Sequence, residues 1–362
     1  MRQATVCIDH QALQYNLNRV KQLAPTAKIV SMVKANAYGH GVKDCLAALS
    51  QSDAFGVACL DEALEIRELG YQQPITLIEG VFAHEEMYIV IDQNLECVVH
   101  HKQQVEWLLA HKDAYTAKNL KVWVKLNSGM NRLGFKVDEI IQIIQRLKSE
   151  GFNCVLTMHF ANADVENHPL NMQQKEQILK VKAACEPILA SCCNSAAIFK
   201  WPELNFDFVR PGIMLYGASP FTDKSAHDLD IQPVMSFTAE IIALNTIQAG
   251  ESVGYGSLYV ADKETELAIV SVGYGDGYPR AFIQPNFVAI NGKHVAVVGR
   301  VAMDMIAIDV TGLNLKLNSE VELWGKNRLV DDVATANGTI GYELLCRLSN
   351  RPKRKNLSPL EN

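Results

Sequence analysis

Short apolar runs alternate with amphipathic segments over the first two-thirds of the chain. Apolar runs with few polar residues inside are typical of parallel strands that are buried on both faces. The segments between them have helical periodicity, as at 103–110 and 138–148. Eight strand–helix units within about 200 residues predict an α/β fold, a (β/α)₈ barrel, with a doubly wound open sheet as the main alternative. The predicted strands are 28–33, 54–59, 75–78, 95–99, 120–126, 153–158, 188–193 and 205–209.

The pattern changes near residue 217. The stretch 218–233 is polar and carries two prolines, which is typical of a domain junction. We therefore predict a barrel domain over residues 9–225 and a mostly β domain over 226–362, with the N-terminal segment 1–8 as an added strand. The basic tail at 351–355 is interpreted as a solvated, frayed end. The strands predicted in the second domain are 235–244, 266–271, 287–290, 294–298, 305–310 and 319–323, followed by a short helix at 339–347.

Composition narrows the class of protein. Hydrophobic residues make up 48% and charged residues 20%, which is typical of a globular protein, and the net charge of −6 argues against nucleic acid or anionic membrane as the main partner. The first five residues lack the apolar core of a signal peptide, and no apolar run reaches the roughly 18–20 residues that span a bilayer. Nine scattered cysteines without a Cys-x-x-Cys pair predict free thiols in the reducing cytoplasm.

Polar or ionisable groups follow five of the predicted barrel strands, where barrel enzymes have their functional residues. Each has an ordinary structural explanation: a surface lysine, a buried histidine, a helix N-cap or a chain reversal. Their convergence on one rim favours a functional site instead. These groups are Lys34, Lys125 with the segment 127–132, His159, Asn194 with Ser195, and Arg210 with Gly212.

The loops after the seventh and eighth strands indicate a phosphate site. Barrel enzymes often bind phosphate there, and Ser195 at a helix start and the Gly212–Ile213 turn could present backbone N–H groups to an anion. A phosphate site together with Lys34 on the same rim is what a pyridoxal-phosphate enzyme requires.

The chain resembles the alanine racemases, a pyridoxal-phosphate-dependent family of isomerases. The resemblance covers nearly the whole chain and rests on motifs that match in order and spacing. The motifs are VKANAYGHG (33–41), NSGMNRLGF (127–135), NSA (194–196), VRPGIMLYG (209–217), GYG (254–256), GYGDG (273–277), GRVAMD (299–304) and GYE (341–343).

The resemblance implies a role for each matching residue. Lys34 would hold pyridoxal phosphate covalently and act as the base on the D-alanine face, while Tyr255, from the other subunit of a homodimer, would act on the L-alanine face. Arg132 and Met303 would contact the substrate. The cofactor would be held by Lys34, Tyr38, Arg132, His159, Asn194, Ser195, Arg210, Gly212, Ile213 and Tyr342, and the substrate corridor would be lined by Asp164, Tyr274, Arg280, Arg300 and Asp304.

Two positions need separate comment. Many family members have a histidine three residues before the asparagine of the NSA motif, where this chain has Ser191, so Arg210 is expected to be oriented differently or through a water. Lys125 and Arg132 would repel on one rim. The resemblance implies that carbamylation by CO₂ converts Lys125 into an anion that pairs with Arg132.

The residue types suit racemisation, which removes the α-proton from one face and returns a proton to the other. Lysine and tyrosine side chains have reference pKa values of about 10, so a site that uses them as bases has to favour their neutral and anionic forms. We expect His159 and Arg210 to supply the positive field near Tyr255. An arginine at the pyridine nitrogen does not give up its proton, which favours an unprotonated ring and disfavours transamination.

Other functions remain as alternatives. A broad-specificity amino-acid racemase and a non-catalytic pyridoxal-phosphate-binding protein are the main ones, although the latter class usually lacks a second domain. A decarboxylase of this fold would generally be longer and lack the GYG motif. No histidine or cysteine spacing indicates a zinc site, the GYGDG run does not fit a dinucleotide site, and Asp276 is interpreted as a turn residue. We expect a role in D-alanine synthesis for peptidoglycan or in alanine catabolism.

Overall fold

A computed structural model describes residues 4–357, so the start of the predicted segment 1–8 and the end of the chain lie outside the described residues. The chain forms two compact units. One consists of 17–37 and 41–215, and the other combines 38–40 with the described parts of 1–16 and 216–362. The exact domain boundaries predicted from the sequence stay predictions.

The first unit is a barrel of eight parallel strands. The strands pair in the order β8-β7-β6-β5-β4-β3-β2-β9 when strands are numbered along the chain. The barrel closes between its last two strands, because Asp207 N–H donates to the Ala190 carbonyl (3.1 Å) and Arg210 N–H donates to the Cys193 carbonyl (2.9 Å). The barrel prediction is confirmed, and the open-sheet alternative is wrong. The strands are β2 (Lys28–Met32), β3 (Ala54–Val57), β4 (Ile75–Leu77), β5 (Leu95–Val99), β6 (Lys121–Lys125), β7 (Asn153–Thr157), β8 (Leu189–Ser191) and β9 (Phe208–Val209).

Helices alternate with the barrel strands, as the amphipathic segments predicted. The helix Val137–Ser149 buries Ile140, Ile144 and Leu147, which is the apolar stripe of the 138–148 pattern. The helices from the N-terminus to the end of the barrel are His10–Leu23, Val42–Cys45, Leu60–Glu68, Glu86–Asp92, Lys102–Ala110, Lys112–Ala117, Val137–Ser149, Pro169–Ala184 and Ser195–Lys200, with 3₁₀ turns at Pro202–Leu204 and Ile213–Tyr216.

The barrel interior is packed rather than open. An apolar cluster fills it, and it includes Val30, Val98, Trp123 and Phe208. Glu96 is also buried, and its carboxylate accepts hydrogen bonds from Trp123 Nε1 and Lys121 Nζ, both at 2.8 Å. A filled interior leaves the loops after the strands as the place for a functional site.

The second unit is mostly β. Its main sheet has the order β13-β16-β15-β14-β17-β10-β1-β18, and the additional pairing of β13 with β10 curls the sheet back on itself. The strands are β1 (Thr5–Ile8), β10 (Met235–Ile247), β11 (Ser252–Val253), β12 (Tyr259–Val260), β13 (Thr265–Val270), β14 (Phe287–Ile290), β15 (Lys293–Val298), β16 (Ile306–Asp309), β17 (Glu320–Trp324) and β18 (Lys353–Asn356), with helices Val330–Asn337 and Gly341–Cys346 and 3₁₀ turns Tyr255–Ser257 and Tyr274–Asp276.

Most of the predicted β segments of this unit are confirmed, including the pairing of the N-terminal strand with the C-terminal sheet. β1 pairs antiparallel with β10. The interpretation of the tail at 351–355 as frayed was wrong, because β18 pairs parallel with β1 and Lys353 N–H donates to the Ala4 carbonyl at 3.0 Å. An edge strand needs only backbone partners on one side, so its basic side chains can stay in solvent.

Two further observations bear on the class of protein. All nine cysteines lie within the described residues, and none of them is in a disulfide there, as predicted. In the stretch from residue 4 to residue 357, no helix combines the length and the apolar character needed to cross a membrane.

Candidate active site

Lys34 follows the first barrel strand and begins an unusual turn. Ala35, Asn36 and Ala37 have φ values of 51°, 54° and 53°, so three consecutive L-residues adopt the left-handed conformation, and Tyr38 continues it. Left-handed helical geometry costs roughly 1–2 kcal/mol per residue. The turn is closed by a hydrogen bond from Ala37 N–H to the Val33 carbonyl at 2.8 Å. A strained backbone directly after a predicted cofactor lysine is typical of a functional site.

Four cationic side chains of the barrel unit act on one another at this rim. Lys125, at the end of β6, is buried, and desolvation together with the charges of Arg210, Arg132 and Lys34 lowers its pKa to about 8. Glu79 opposes this lowering, but its effect is the smallest of these causes. Lys34, Lys125, Arg132 and Arg210 were all predicted site residues, and the barrel brings them into one electrostatic cluster. Such a concentration of positive charge is suited to binding an anionic ligand.

His159, just after β7, lies in the same field. Its desolvation and the charges of Arg210, Lys125, Arg132 and Lys34 hold its pKa well below the ordinary value. The ring is therefore neutral at physiological pH, and its Nε2 lies 3.4 Å from the Asn194 amide nitrogen. The expectation that His159 shares in the positive field near Tyr255 was wrong, because nearby cations disfavour a further positive charge. Arg210 is the cation of this pair.

Arg210 is buried and is held by oxygen atoms of the barrel. Its Nη1 donates to Ser191 Oγ and its Nη2 to the Met158 carbonyl, both at 2.5 Å. Ser191 Oγ in turn donates to the Phe208 carbonyl at 2.9 Å. The serine that replaces the family's usual histidine therefore contacts the guanidinium directly, and no bridging water is needed. These contacts fix the orientation of a side chain that remains positively charged.

The loops after β8 and β9 meet at a buried hydroxyl. Ser195 begins the helix Ser195–Lys200, and Asn194 caps that helix by accepting a hydrogen bond from Ala197 N–H at 3.1 Å. Ser195 Oγ accepts hydrogen bonds from Gly212 N–H at 2.9 Å and Met214 N–H at 3.4 Å. Two N–H groups of the loop after β9 thus point at a hydroxyl of the loop after β8, which brings the two predicted phosphate loops together. Ile213 lies within the same loop.

The second unit holds the two tyrosines that were predicted to contact the phosphate. Tyr38 is buried, and its ring stacks on Tyr216 with centroids 5.0 Å apart and lies 6.1 Å from the ring of Tyr342. Gly39 follows with a φ of 79°, and a Cβ there would lie 2.0 Å from the Leu345 carbonyl oxygen. Residues 38–40 of the 33–41 motif therefore pack against the helix that carries the GYE motif, which explains the glycine at position 39.

Three glycine-containing motifs of the second unit also lie together. A Cβ on Gly256 would lie 2.9 Å from Arg300 Nη1, and Gly275 N–H donates to the Met303 carbonyl at 2.9 Å. Tyr255 and Met303 have 72% and 53% of their surface exposed. The predicted base and the predicted substrate contact are thus carried by neighbouring loops with their side chains open to solvent.

The predicted corridor residues differ in how they are held. Tyr274, Arg280 and Arg300 are exposed on the second unit, and Asp164 is exposed on the barrel. Asp304 is paired with Arg351, with Nη2 and Oδ1 2.5 Å apart. Asp276 is buried and accepts a hydrogen bond from Gly273 N–H at 2.9 Å, which confirms its interpretation as a turn residue.

Two residues of the site region were not predicted. Arg351 pairs with Asp304 from a segment 47 positions away, and Glu62 accepts a hydrogen bond from Ala35 N–H in the turn after Lys34. An acidic residue in the first turn of a helix is common, so nothing in the sequence distinguished Glu62. Among residues 4–357, no group of three or more His, Cys, Asp or Glu side chains is arranged to hold a metal.

The donor set fits pyridoxal phosphate. The barrel rim combines a lysine, buried cations in excess over acids, and two N–H groups of the loop after β9 beside the Ser195 hydroxyl. A cofactor with a phosphate and a phenolic oxygen has the negative charges that such a set can neutralise.

Comparison with known proteins identifies the family. The model of the alanine racemase N-terminal domain matches residues 8–220, and that of the C-terminal domain matches residues 234–356. The alanine racemase of Psychrobacter sp. (strain PRwf-1) is 47% identical, with 98% of this chain and 100% of the relative covered.

Solved structures agree. The alanine racemase from Acinetobacter baumannii is 74% identical with a TM-score of 0.98, and the match covers 98% of this chain and 100% of that one. An alanine racemase from Bartonella henselae with covalently bound pyridoxal phosphate is 28% identical with a TM-score of 0.88, and the match covers 99% and 100% of the two chains. The chain belongs to the alanine racemase family.

Proposed function

We propose that this chain interconverts L-alanine and D-alanine with Lys34 and Tyr255 as the two bases. Membership of the alanine racemase family makes it a pyridoxal-phosphate-dependent isomerase. The observation that carries the assignment of the site is the cluster of Lys34, Lys125, Arg132 and Arg210 on one barrel rim. Their combined charge suits the phosphate of the cofactor and the carboxylate of an amino acid.

Pyridoxal phosphate, when bound, supplies an electron-withdrawing group that makes the α-proton of an amino acid removable. Lys34 holds the cofactor through its Nζ and exchanges a proton at the α-carbon on the D-alanine face. Tyr255 Oη exchanges a proton on the opposite face. Two bases on opposite faces avoid the need for a single base to move around the α-carbon.

Arg210 sets the electronic character of the site. Its guanidinium is fixed by Ser191 and Met158, and it would face the ring nitrogen of the cofactor. A guanidinium offers only donors and keeps its proton, so it leaves that nitrogen without a proton of its own. This would favour return of a proton to the α-carbon over transamination.

The remaining predicted residues bind the substrate or the cofactor and orient it. Arg132 and Met303 contact the substrate, and carbamylation of Lys125 provides an anion for Arg132. Burial and the neighbouring cations that lower the pKa of Lys125 to about 8 make the neutral amine, which is the form that reacts with CO₂, more available. The cofactor is held by Tyr38, His159, Asn194, Ser195, Gly212, Ile213 and Tyr342, and the corridor is lined by Asp164, Tyr274, Arg280, Arg300 and Asp304.

A homodimer and a cytoplasmic location complete the proposal. Tyr255 and Met303 are two of several large apolar or aromatic side chains that the second unit exposes, and others are Leu258, Ile283 and Met305. Apolar side chains exposed in such number are typical of an interaction surface, and a second copy of the chain is its proposed occupant. In the cell, the product would serve peptidoglycan synthesis or the reaction would serve alanine catabolism.

The direct test incubates the purified protein and pyridoxal phosphate with L-alanine and assays D-alanine with a D-specific oxidase. We expect D-alanine from the wild type and none from Lys34→Ala. If the wild type produces no D-alanine, a panel of other L-amino acids tests a broader racemase, and failure of all of them would leave a binding protein.

A further inference from the structure

Glu62 connects the turn after Lys34 to the neighbouring strand. It lies in the first turn of the helix Leu60–Glu68. One carboxylate oxygen, Oε1, accepts a hydrogen bond from Ala35 N–H at 2.7 Å, and the other, Oε2, accepts one from Ala58 N–H at 2.7 Å. Ala35 directly follows Lys34, and Ala58 directly follows β3. Both oxygens are thus used on backbone groups next to the predicted cofactor lysine.

The turn after Lys34 needs such support. Three consecutive L-residues in the left-handed conformation are individually unfavourable, and two of them are alanines, whose side chains offer no hydrogen bond to stabilise it. Asn36 stabilises the far end, since its Oδ1 accepts a hydrogen bond from Val42 N–H at 2.8 Å. At the Lys34 end, Glu62 supports the backbone by accepting the hydrogen bond from Ala35 N–H.

We propose that Glu62 is a positioning residue for Lys34: its carboxylate fixes the left-handed turn and thereby the direction of the lysine side chain. This inference rests on the proposed function, because it assumes that Lys34 holds pyridoxal phosphate. Glu62 is not itself assigned a contact with cofactor or substrate. It acts through its hydrogen bond to Ala35 N–H, while its hydrogen bond to Ala58 N–H anchors the carboxylate at the end of β3.

The chemistry of the side chain makes the inference specific. A carboxylate can accept from two N–H groups at once and forms stronger hydrogen bonds than a neutral acceptor. Glutamine has one acceptor oxygen, and its NH₂ group would face the second N–H. We therefore expect Glu62→Ala to release the turn fully and Glu62→Gln to release it partly.

The first experiment measures attachment of the cofactor rather than turnover. Full-length wild type, Glu62→Ala and Glu62→Gln are incubated over a range of pyridoxal-phosphate concentrations, treated with borohydride and digested, and the fraction of modified Lys34 is measured by mass spectrometry. The half-saturating concentration should rise about tenfold to a hundredfold in Glu62→Ala, since misplacement of a reacting group by about 1 Å has effects of this size. Glu62→Gln should lie between it and the wild type.

The matched control is Glu65→Ala, which removes an exposed carboxylate one turn away on the same helix. It should behave as wild type. A structural readout accompanies it: hydrogen exchange over residues 33–37 should accelerate in Glu62→Ala while exchange within β6 and β7 stays unchanged. If Glu62→Ala does not fold, Glu62→Gln carries both measurements.

The outcomes separate the two proposals. Failure of the wild type to attach the cofactor at Lys34 would overturn the proposed function. Attachment in the wild type with the same half-saturating concentration and the same exchange in the Glu62 variants would overturn the role of Glu62 and leave the proposed function intact.

Discussion

The two units carry their functional residues in opposite ways. On the barrel, Arg210 and Lys125 are buried, and Arg210 is fixed by hydrogen bonds from its own fork. On the second unit, Tyr255 is 72% exposed and Met303 is 53% exposed. A buried cation needs hydrogen-bond acceptors around it, and its charge shifts the pKa of neighbouring groups. An exposed tyrosine has no such requirement and no such effect.

Substitutions in the two units should therefore differ in whether they affect folding as well as the reaction, or the reaction alone. Changes on the barrel rim remove partners from buried charges, so they should alter stability and pH dependence as well as activity. Changes to the exposed loops of the second unit should leave the stability of the individual chain nearly unchanged. The contrast should be largest at Tyr255, a proposed base whose surface is 72% exposed within its own chain.

The largest effect is expected from Tyr255→Phe. Loss of the hydroxyl removes the proposed base for the L-alanine face, and general acid–base groups typically contribute about 10²–10⁴ to a rate. Racemisation in both directions should fall about 10³-fold, while the free energy of unfolding changes by less than about 0.5 kcal/mol, as for other exposed substitutions. Steady-state assays and urea unfolding test this. A large loss of stability with unchanged turnover would reverse the contrast between the units.

A smaller effect is expected from the titration of Lys125. Its pKa is about 8 in the folded chain against an ordinary value of 10.5. Between these values the unfolded chain binds a proton that the folded chain lacks, so stability rises with pH across this window and is independent of this group below it. Without CO₂, the difference in unfolding free energy between wild type and Lys125→Met should change by up to about 3 kcal/mol across the window.

Urea unfolding at a series of pH values in CO₂-free buffer measures this difference, and bicarbonate supplies the matched comparison. With bicarbonate, the intact mass of the wild type should gain a carbamate that Lys125→Met lacks. A flat difference without CO₂ would argue against a perturbed lysine, and an unchanged mass with bicarbonate would argue against carbamylation.

The smallest effect is expected from Ser191→Ala. The substitution leaves Arg210 Nη1 without its hydroxyl partner, and an unsatisfied buried donor costs about 1–3 kcal/mol of stability. We expect kcat/KM for alanine to fall about tenfold because the carbonyls of Met158 and Cys192 hold the guanidinium less firmly without the hydroxyl. Ser149→Ala, which removes an exposed helix hydroxyl, is the control. Equal behaviour of the two variants would mean that Ser191 has no part in orienting Arg210.

Much of the fold could be predicted because its signals are local. Continuous apolar runs such as 153–158 gave the barrel strands, and the stripe of Ile140, Ile144 and Leu147 gave a helix face. β18 was missed because its residues, Lys353–Asn356, have no apolar pattern, and its pairing with β1 joins opposite ends of the chain.

The candidate site was predicted less evenly. Strand ends and motif spacing identified Lys34, Lys125, His159 and Arg210, because parallel strands bring their carboxyl ends to one rim. The neutral state of His159 could not be predicted, since its lowered pKa depends first on burial and then on four cations, and only the fold sets both. Glu62 was missed because a hydrogen bond to a backbone N–H 27 positions away requires no motif.

In the proposed reaction two different bases act on the two faces of alanine, and isotope exchange can distinguish them. Tyr255→Phe is incubated in D₂O with pyridoxal phosphate and either L-alanine or D-alanine, and deuterium at the α-carbon is followed by NMR. The variant should exchange the α-proton of D-alanine, through Lys34, and almost none of the α-proton of L-alanine. Equal exchange with both enantiomers would contradict the two-base proposal.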